Sequence, residues 1–317
     1  MGIVVIGAVF VDIKDFPKDN YIPTGRNAGT IEYIHGGVSR NVVENIANVE
    51  LRPTFISLVD NTAMGADVIH KLQRHKVNTQ YIRTVPQGMG TWLAVFDTTG
   101  DVAGSISQRP NLMPLLKTLE KHGDEIFANA DSIVVEIDIH KEIVKKVFEL
   151  AEKYHKKVYA IVFNISIAIK RRDFIKQLDC FVCNQQEAGI LFARDFSDIE
   201  PEQMEDALAE QVKNAQIQSM VVTMGSKGSV YVDQQGNKGF FPAMKVQVKD
   251  TTGAGDAFCS GLVIGLTYHK TLQEAVEIGT RLAASVIVSS ENVCPRFLPR
   301  ELGIDIDVPE EVPQEEA

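Results

Sequence analysis

The chain has 317 residues, of which 44% are hydrophobic and 23% charged, and its formal net charge is -10. This composition is typical of a globular protein with one large α/β domain or two small ones. The negative charge makes a nucleic-acid backbone an unfavourable partner, and no apolar run approaches the roughly 18 residues of a membrane span. Residues 1–7 lack the basic region and cleavage site of a signal peptide, so we expect a cytoplasmic protein.

Apolar runs and amphipathic stretches alternate through most of the chain. The runs have the length of buried strands and lie at residues 3–8, 53–58, 132–136, 158–163, 180–183 and 218–223. Between them lie helical patterns such as residues 141–154, in which apolar residues recur on one side. Strands that alternate with helices predict a mostly parallel sheet with helices on both faces.

Two stretches interrupt this alternation, at about residues 13–35 and 89–107. The second reads as a hairpin, with strands Gly90–Asp97 and Val102–Ile106 joined by a turn at 98–101. Both interruptions could form one small antiparallel sheet beside the main domain, or could be ordinary surface hairpins. The C-terminal residues 305–317 carry six acidic residues, no basic ones and two prolines, which predicts a disordered tail.

The pair Cys180 and Cys183 has the spacing of a metal or redox motif. The two residues belong to a strand-like run, in which positions three apart face opposite sides of a sheet. The sequence holds four cysteines and offers no second pair to complete a zinc site. We therefore expect these to be core cysteines of a reduced protein.

Residues 250–258 read Asp-Thr-Thr-Gly-Ala-Gly-Asp-Ala-Phe and lie between two periodic segments. The alternation in Lys245–Lys249 predicts a half-buried strand, and apolar residues after the turn recur at helical spacing. The small residues Gly253, Ala254 and Gly255 allow close backbone approach at a helix start, where free N–H groups and the helix dipole attract an anion.

The carboxylate of Asp256 stands inside this anion-binding turn. One interpretation is a helix cap. The other is a general base, which removes a hydroxyl proton while the turn stabilises the growing negative charge. A protein that only binds a ligand has no need of a base at such a turn.

Other polar residues lie at predicted strand ends and helix starts. Asp12 follows the first strand, where ligands bind in open α/β sheets. The segment Gly36-Gly37-Val38-Ser39-Arg40-Asn41 opens a helix, and the amide of Asn41 suits a sugar hydroxyl. Either Asp12 or these glycines could instead simply form turns.

Two segments fit the nucleotide side of such a site. Asn184 and Glu187 have the spacing of a capping box, and the same groups suit Mg²⁺ that keeps most of its waters. Thr223, Gly225 and Gly228 belong to a strand that enters a glycine turn, which a simple hairpin would also explain. The sequence contains neither a Walker loop nor a Gly-x-Gly-x-x-Gly motif, which argues against a dinucleotide oxidoreductase.

Together, residues 250–258 and 36–41 resemble the two signatures of the ribokinase-like (PfkB) carbohydrate kinases, and the resemblance spans about residues 3–298. It implies a ribokinase-like α/β domain over residues 1–304, with segments 13–35 and 89–107 as a β-sheet lid. It also implies a kinase with ATP and Mg²⁺ as cofactors and a small sugar or nucleoside as partner. Because exposed lid strands often pair, a homodimer through the lid is a further expectation.

The resemblance also assigns roles to the candidate residues. Asp256 would be the catalytic base and Gly253, Ala254 and Gly255 the anion hole, while the acceptor would contact Asp12, Gly36, Gly37 and Asn41. Asn184, Thr223, Gly225 and Gly228 would bind the nucleotide, with Asn184 and Glu187 near Mg²⁺. Asp250 and Thr252, with carbonyls of the 289–295 loop, would hold a monovalent cation such as K⁺.

The variant signatures at Gly36–Asn41 and Ser289–Pro295 resemble those of pseudouridine kinases more than those of ribokinases. The expected reaction is phosphoryl transfer from ATP to a primary hydroxyl, with pseudouridine as the leading acceptor. Ribose, another nucleoside or a hexose is the alternative, and a non-catalytic sugar- or nucleoside-binding regulator is the alternative from another class.

Overall fold

The computed structural model describes residues 2–98 and 102–306. Its strands are β1 Ile3–Ile6, β2 Phe10–Pro17, β3 Gly29–Gly36, β4 Thr54–Val59, β5 Ile82–Thr84, β6 Gly90–Phe96, β7 Val102–Gln108, β8 Ser132–Glu136, β9 Lys157–Ile161, β10 Cys180–Asn184, β11 Ser219–Thr223, β12 Gly228–Asp233 and β13 Lys238–Pro242. Its helices are α1 Val38–Asn48, α2 Ala63–Arg74, α3 Pro114–Asn129, α4 Lys141–Lys153, α5 Ile165–Ala168, α6 Arg172–Ile175, α7 Gln185–Phe192, α8 Pro201–Ala215, α9 Ala254–Thr267 and α10 Leu272–Ile287.

Nine strands form the large sheet in the order β13-β12-β11-β10-β9-β8-β1-β4-β5. The strands from β11 to β5 pair in parallel, whereas β12 and β13 pair antiparallel. All six predicted strand runs lie in this sheet, and residues 141–154 form α4. The sequence therefore predicts the main architecture, because buried parallel strands leave long apolar runs.

Two hydrophobic clusters cover the two faces of the large sheet. One contains residues of α1, α2, α9 and α10, and the other contains residues of α3, α4, α7 and α8. Cys180 packs in the first cluster and Cys183 in the second, and both thiols are buried and free. The prediction of core cysteines on opposite faces is confirmed, and burial raises the pKa of Cys180 to about 12.

The second sheet has the order β3-β2-β6-β7 and stands at the carboxyl edge of the large sheet; we call it the lid. The predicted hairpin is β6 and β7, but β2 and β6 pair in parallel, so the lid is not wholly antiparallel. Both strands leave the same edge of the large sheet, which gives them the same direction. Residues 99–101 of the hairpin turn and residues 307–317 of the predicted tail lie outside the described residues.

The strand predicted at Lys245–Lys249 is wrong. The last strand of the sheet, β13, ends at Pro242, and residues 243–249 have no regular structure. The apolar residues of this segment, Met244, Val246 and Val248, line a large cavity instead of pairing with a strand. Alternating apolar residues therefore belong here to an irregular segment that lines a cavity. Among the described helices, none has the length and hydropathy needed to cross a membrane.

Candidate active site

The turn before α9 forms part of the wall of a cavity of about 710 Å³. Gly253 has φ 81°, and a Cβ there would lie 2.1 Å from the carbonyl oxygen of Asn292. At Gly255, in contrast, a Cβ would meet no atom within 4 Å. The first N–H groups of a helix lack intrahelical acceptors. Glycine at 253 thus shapes the turn, and Ala254 and Gly255 face the cavity. The Ala254 N–H donates to the Thr251 carbonyl at 3.2 Å, so the N–H of Gly255 is the donor at this turn that a ligand could use.

Asp256 lies in the first turn of α9, and its Oδ2 accepts a 2.6 Å hydrogen bond from Asn41 Nδ2 of α1. Burial raises the pKa of Asp256 to about 6, and the nearby carboxylate of Asp12 adds to the shift, while Asn41 and Arg40 oppose it. A carboxylate with this pKa is ionised at neutral pH and remains basic enough to accept a proton from a hydroxyl group. The Oδ1 of Asn41 is buried without a hydrogen-bond partner among the described residues and could accept a hydrogen bond from a ligand.

Asp12 points from β2 toward the start of α1. A Cβ at Gly36 would lie 2.3 Å from Asp12 Oδ1, so glycine is needed for the carboxyl group to lie there. Gly37 is the N-cap of α1 with φ 95°, and a Cβ there would lie 2.9 Å from the carbonyl oxygen of Ala8. The structure therefore brings the predicted acceptor residues Asp12, Gly36, Gly37 and Asn41 to one place beside Asp256.

The side chain of Arg40 is almost fully buried, which the sequence reasoning did not foresee. Its Nη1 donates to Glu44 Oε2 at 2.8 Å, its Nη2 donates to the His35 carbonyl, and its Nε donates to Gly36 O. Glu44 also pairs with Lys71 at 2.9 Å. The guanidinium thus ties the junction of β3 and α1 to the core, and its charge opposes the raised pKa values of Asp12 and Asp256. An arginine between two motif residues is a weak sequence signal, because most arginines are exposed.

The residues predicted to bind the nucleotide lie at or beside the large cavity. Thr223 ends β11 beside Asn184 of β10, and Thr223, Gly225 and Gly228 line the large cavity. Gly228 has φ 127°, and a Cβ there would meet the Phe241 carbonyl at 2.1 Å. The cavity wall is mostly apolar and continues along residues 242–248 and α10, which suits a flat heterocycle next to a phosphate chain.

Asn184 and Glu187 form the capping box predicted from their spacing. Asn184 Oδ1 accepts from the Glu187 N–H, and Glu187 Oε2 accepts from the Asn184 N–H, each at 2.8 Å. Burial raises the pKa of Glu187, the bond from Asn184 opposes the shift, and the charge of Asp138 adds to it. Both oxygens of Asp138 already accept hydrogen bonds, so a cation here would rely on Glu187 and Asn184. No group of three or more His, Cys, Asp or Glu residues suited to a metal occurs in the described ranges.

Asp250 and Thr252 flank the turn on its other side. Burial acts against ionisation of Asp250, but hydrogen bonds from Thr252 hold the pKa of this carboxyl below its ordinary value. Its Oδ1 accepts from the Thr252 N–H at 2.8 Å. The Asp250 N–H bonds to the Ile287 carbonyl, and Gly253 lies against Asn292, so the 288–295 loop borders the same turn.

A large parallel sheet, a lid at its carboxyl edge and an aspartate at a helix-opening anion turn together define an ATP-dependent phosphotransferase of the ribokinase-like fold. The chain belongs to the pfkB family of carbohydrate kinases, whose family model matches residues 2–296.

Named relatives include kinases of nucleosides and of sugars. The chain is 33% identical over 294 residues to guanosine-inosine kinase from Exiguobacterium acetylicum, covering 92% of this chain and 95% of the relative. It is 26% identical to pseudouridine kinase from Escherichia coli strain K12, covering 82% of each chain. Arabidopsis thaliana ribokinase, solved with ribose and ATP, superposes with a TM-score of 0.81 at 20% identity, covering 95% of this chain and 97% of that one. This structural likeness shows the fold.

Proposed function

We propose that the chain transfers the γ-phosphoryl group of ATP to the primary hydroxyl of a nucleoside. The observation that carries this proposal is the position of Asp256, whose carboxylate lies between the amide of Asn41 and the turn at Gly253–Gly255. In this proposal Asp256 takes the hydroxyl proton, and the backbone N–H groups of the turn stabilise the transferring phosphoryl group. Asp12, Gly36, Gly37 and Asn41 orient the acceptor.

The nucleotide would lie in the large cavity, with its phosphates toward Thr223, Gly225, Gly228 and Asn184. The family uses ATP, usually with Mg²⁺, and Mg²⁺ when bound neutralises phosphate charge. Glu187 and Asn184 would hold it through water, because carboxylate and amide oxygens suit Mg²⁺ and its bound waters. Asp250 and Thr252, with carbonyls of the 288–295 loop, would hold a monovalent cation such as K⁺. Lid closure would exclude water that hydrolyses ATP.

The relatives support a nucleoside acceptor over a free sugar. The guanosine-inosine kinase matches at 33% identity, whereas pseudouridine kinase and a ribokinase from Haemophilus influenzae each match at 26%. Inosine and guanosine are therefore candidate acceptors together with pseudouridine, which the segments 36–41 and 289–295 favour. Ribose is the alternative acceptor.

We propose residues 1–304 as a single kinase unit and the lid as its dimer interface. Across the lid, Tyr33, Ile13, Leu93 and Ile106 are register partners in neighbouring strands and share one face. Tyr33 and Ile106 are 61% and 73% exposed, which leaves an apolar face for a second copy. Sedimentation of the wild type and Ile106→Asp tests this: a monomer in both would contradict the dimer.

An ADP-release assay tests the proposed reaction. Inosine, guanosine, pseudouridine, uridine, ribose and fructose are compared as acceptors, with Asp256→Asn as the matched control, and products are identified by ³¹P NMR. We expect a nucleoside 5′-phosphate, with kcat/KM at least about tenfold above that for ribose, equivalent to about 1.4 kcal/mol. A faster reaction with ribose would make the chain a sugar kinase, and binding of ATP and acceptor without turnover would make it a regulator.

A further inference from the structure

A second cavity, of about 270 Å³, lies at the base of the lid. Its wall includes polar and charged side chains that the proposed phosphoryl transfer does not use, namely Arg109, Glu136, Asp138, His140 and Arg171, together with the backbone at Ala8. Glu136 is the last residue of β8, and Asp138 lies two residues later. Arg109 directly follows β7, the last lid strand. We call this space the lid-base cavity.

We call the large cavity, in which the nucleotide is proposed to lie, the nucleotide cavity. The lid-base cavity borders the acceptor residues on the side away from it. Glu136 Oε2 accepts from the Ala8 N–H at 3.0 Å and from Ser39 Oγ at 2.8 Å, and Ser39 lies two residues before Asn41. In phosphoryl transfer the acceptor oxygen and the leaving oxygen lie on opposite sides of the phosphorus. Since Ala254 and Gly255 line the nucleotide cavity, the part of an acceptor remote from its reactive hydroxyl must extend toward β1 and β8.

Arg109 is held in place by several contacts. Its Nη2 donates to Asp138 Oδ2 at 2.6 Å and to Glu136 Oε1 at 3.1 Å, and its Nη1 donates to the Asp138 carbonyl at 3.4 Å. The guanidinium carbon lies 5.0 Å from the ring centroid of Phe163, which stacks on Phe10. The ion pairs and the aromatic stack fix the plane of the guanidinium.

Two arginines of this wall keep unused hydrogen-bond donors, and the ring of His140, which has no hydrogen-bond partner among the described residues, can donate one bond and accept another. Within residues 2–98 and 102–306, the Nε–H and one Nη1–H of Arg109 donate to no protein atom. The Nε of Arg171 is buried without a partner, while its Nη2 donates to Ile139 O. The carboxylate acceptors are already engaged: Asp138 Oδ1 and Oδ2 accept from the N–H groups of Phe163 and Asn164, and Glu136 has the contacts described above. A ligand must therefore bring acceptors to satisfy the two arginines.

We propose that the lid-base cavity binds the base of the nucleoside acceptor and selects bases that present a carbonyl oxygen to Arg109 and Arg171. This rests on the proposed nucleoside kinase function and specifies its acceptor class. Hypoxanthine and guanine offer O6 and N7 as acceptors on one edge, and the unused donors of Arg109 and Arg171 could each satisfy one of them. Adenine carries an amino group in place of O6, so its N–H would face the guanidinium donors and leave them unpaired.

Inosine and adenosine form a matched pair for the test, because they differ at this edge of the base. Their dissociation constants are measured by calorimetry in the absence of ATP, and kcat/KM in the ADP-release assay. We expect the wild type to favour inosine by about 10- to 100-fold in both measurements, the range for one hydrogen bond to a charged group. Two variants follow: Arg109→Lys, which keeps the charge beside Glu136 and Asp138, and Arg171→Met, which leaves no buried carboxylate unpaired.

Arg109→Lys should reduce the inosine-to-adenosine ratio to within about threefold of unity. Arg171→Met should reduce the same ratio by a smaller factor. Equal binding and turnover of inosine and adenosine by the wild type would overturn base selection while leaving the nucleoside kinase intact. An unchanged ratio in both folded variants would overturn the role of the two arginines. Phosphorylation of ribose without binding of any nucleoside would reject the proposed acceptor class and this inference together.

Discussion

Asn41 of α1 donates its amide hydrogen to the carboxylate of Asp256 of α9, over 2.6 Å and 215 positions of sequence. Asn41 therefore positions the proposed base in addition to its predicted contact with the acceptor. The bond favours the ionised carboxylate, whose pKa is raised mainly by burial. This hydrogen bond joins the two sequence signatures, residues 36–41 and 250–258. A change at Asn41 should therefore alter the pKa of Asp256.

Asp256→Asn should lower kcat by about 10²–10⁴, the range for loss of a general base. The same change should increase stability at neutral pH. Because the pKa of Asp256 is higher in the folded state, its ionisation costs stability as the pH rises from about 4 through about 6. Removing the charge should therefore raise the free energy of unfolding at pH 7.5 by roughly 1–3 kcal/mol. Activity assays and urea titrations at pH 4.5 and 7.5 check both effects, and normal turnover would reject Asp256 as the base.

The pH dependence of kcat/KM should show an acid limb near the pKa of about 6 that burial gives Asp256. Below it the base is protonated, so the rate should fall about tenfold per pH unit. Asn41→Ala removes a hydrogen bond to the charged form, so it should move the midpoint to higher pH. A pH–rate profile of each protein measures the shift. A midpoint that stays fixed or moves down in Asn41→Ala would contradict the coupling.

The two glycines of the turn should respond differently to substitution. Gly255→Val has open space around the new side chain, which would enter the nucleotide cavity and block the backbone donors. We expect kcat/KM to fall by about 10²-fold or more with little change in stability. Gly253→Val is the matched control: it meets a positive φ and the Asn292 carbonyl at 2.1 Å, and should lower the melting temperature. Unfolding of Gly255→Val, or full activity in it, would leave the turn without its proposed role.

Asp12→Ala should raise the KM for the acceptor by about 10- to 100-fold, because sugar hydroxyls lose a charged partner worth about 1.5–3 kcal/mol. ATP affinity should change little, since Asp12 lies by Gly36 and Asn41 and does not line the nucleotide cavity. Asp12→Asn keeps the shape and should give an intermediate value. Initial-rate kinetics with each substrate varied separate the two effects, and a defect confined to ATP would place Asp12 on the wrong side of the reaction.

The sequence predicts the large sheet well because its parallel strands are buried on both faces and leave continuous apolar runs. The positions of Asp12, Asn41 and Asp256 were also foreseeable, since each stands at a strand end or a helix start. The segment Lys245–Lys249 was misread, because alternation reports only which side is apolar. It does not report whether that side faces a protein core or a ligand cavity.

Other features could not be read because their partners are distant in sequence. Arg40 is buried by contacts with the His35 carbonyl of β3 and with Glu44 of α1, whereas periodicity predicts that a charged helix residue is exposed. Arg109 meets Glu136 and Asp138 only when β7 leads back to the end of β8. In lid strand β6, Trp92 is the register partner of Asp12, which the sequence alone does not show. Its two neighbours face the opposite side of the lid.

The burial of all four cysteines has a practical consequence for spectroscopy. Each thiol is shielded in the core, and burial raises the pKa values of Cys180, Cys183, Cys259 and Cys294, so maleimide dyes should react with them slowly. Cysteines introduced at Thr98 on the lid and at Glu202 on α8, both exposed, could therefore carry a donor and an acceptor fluorophore without removal of native thiols. Energy transfer between them would then report the lid angle on single molecules during turnover.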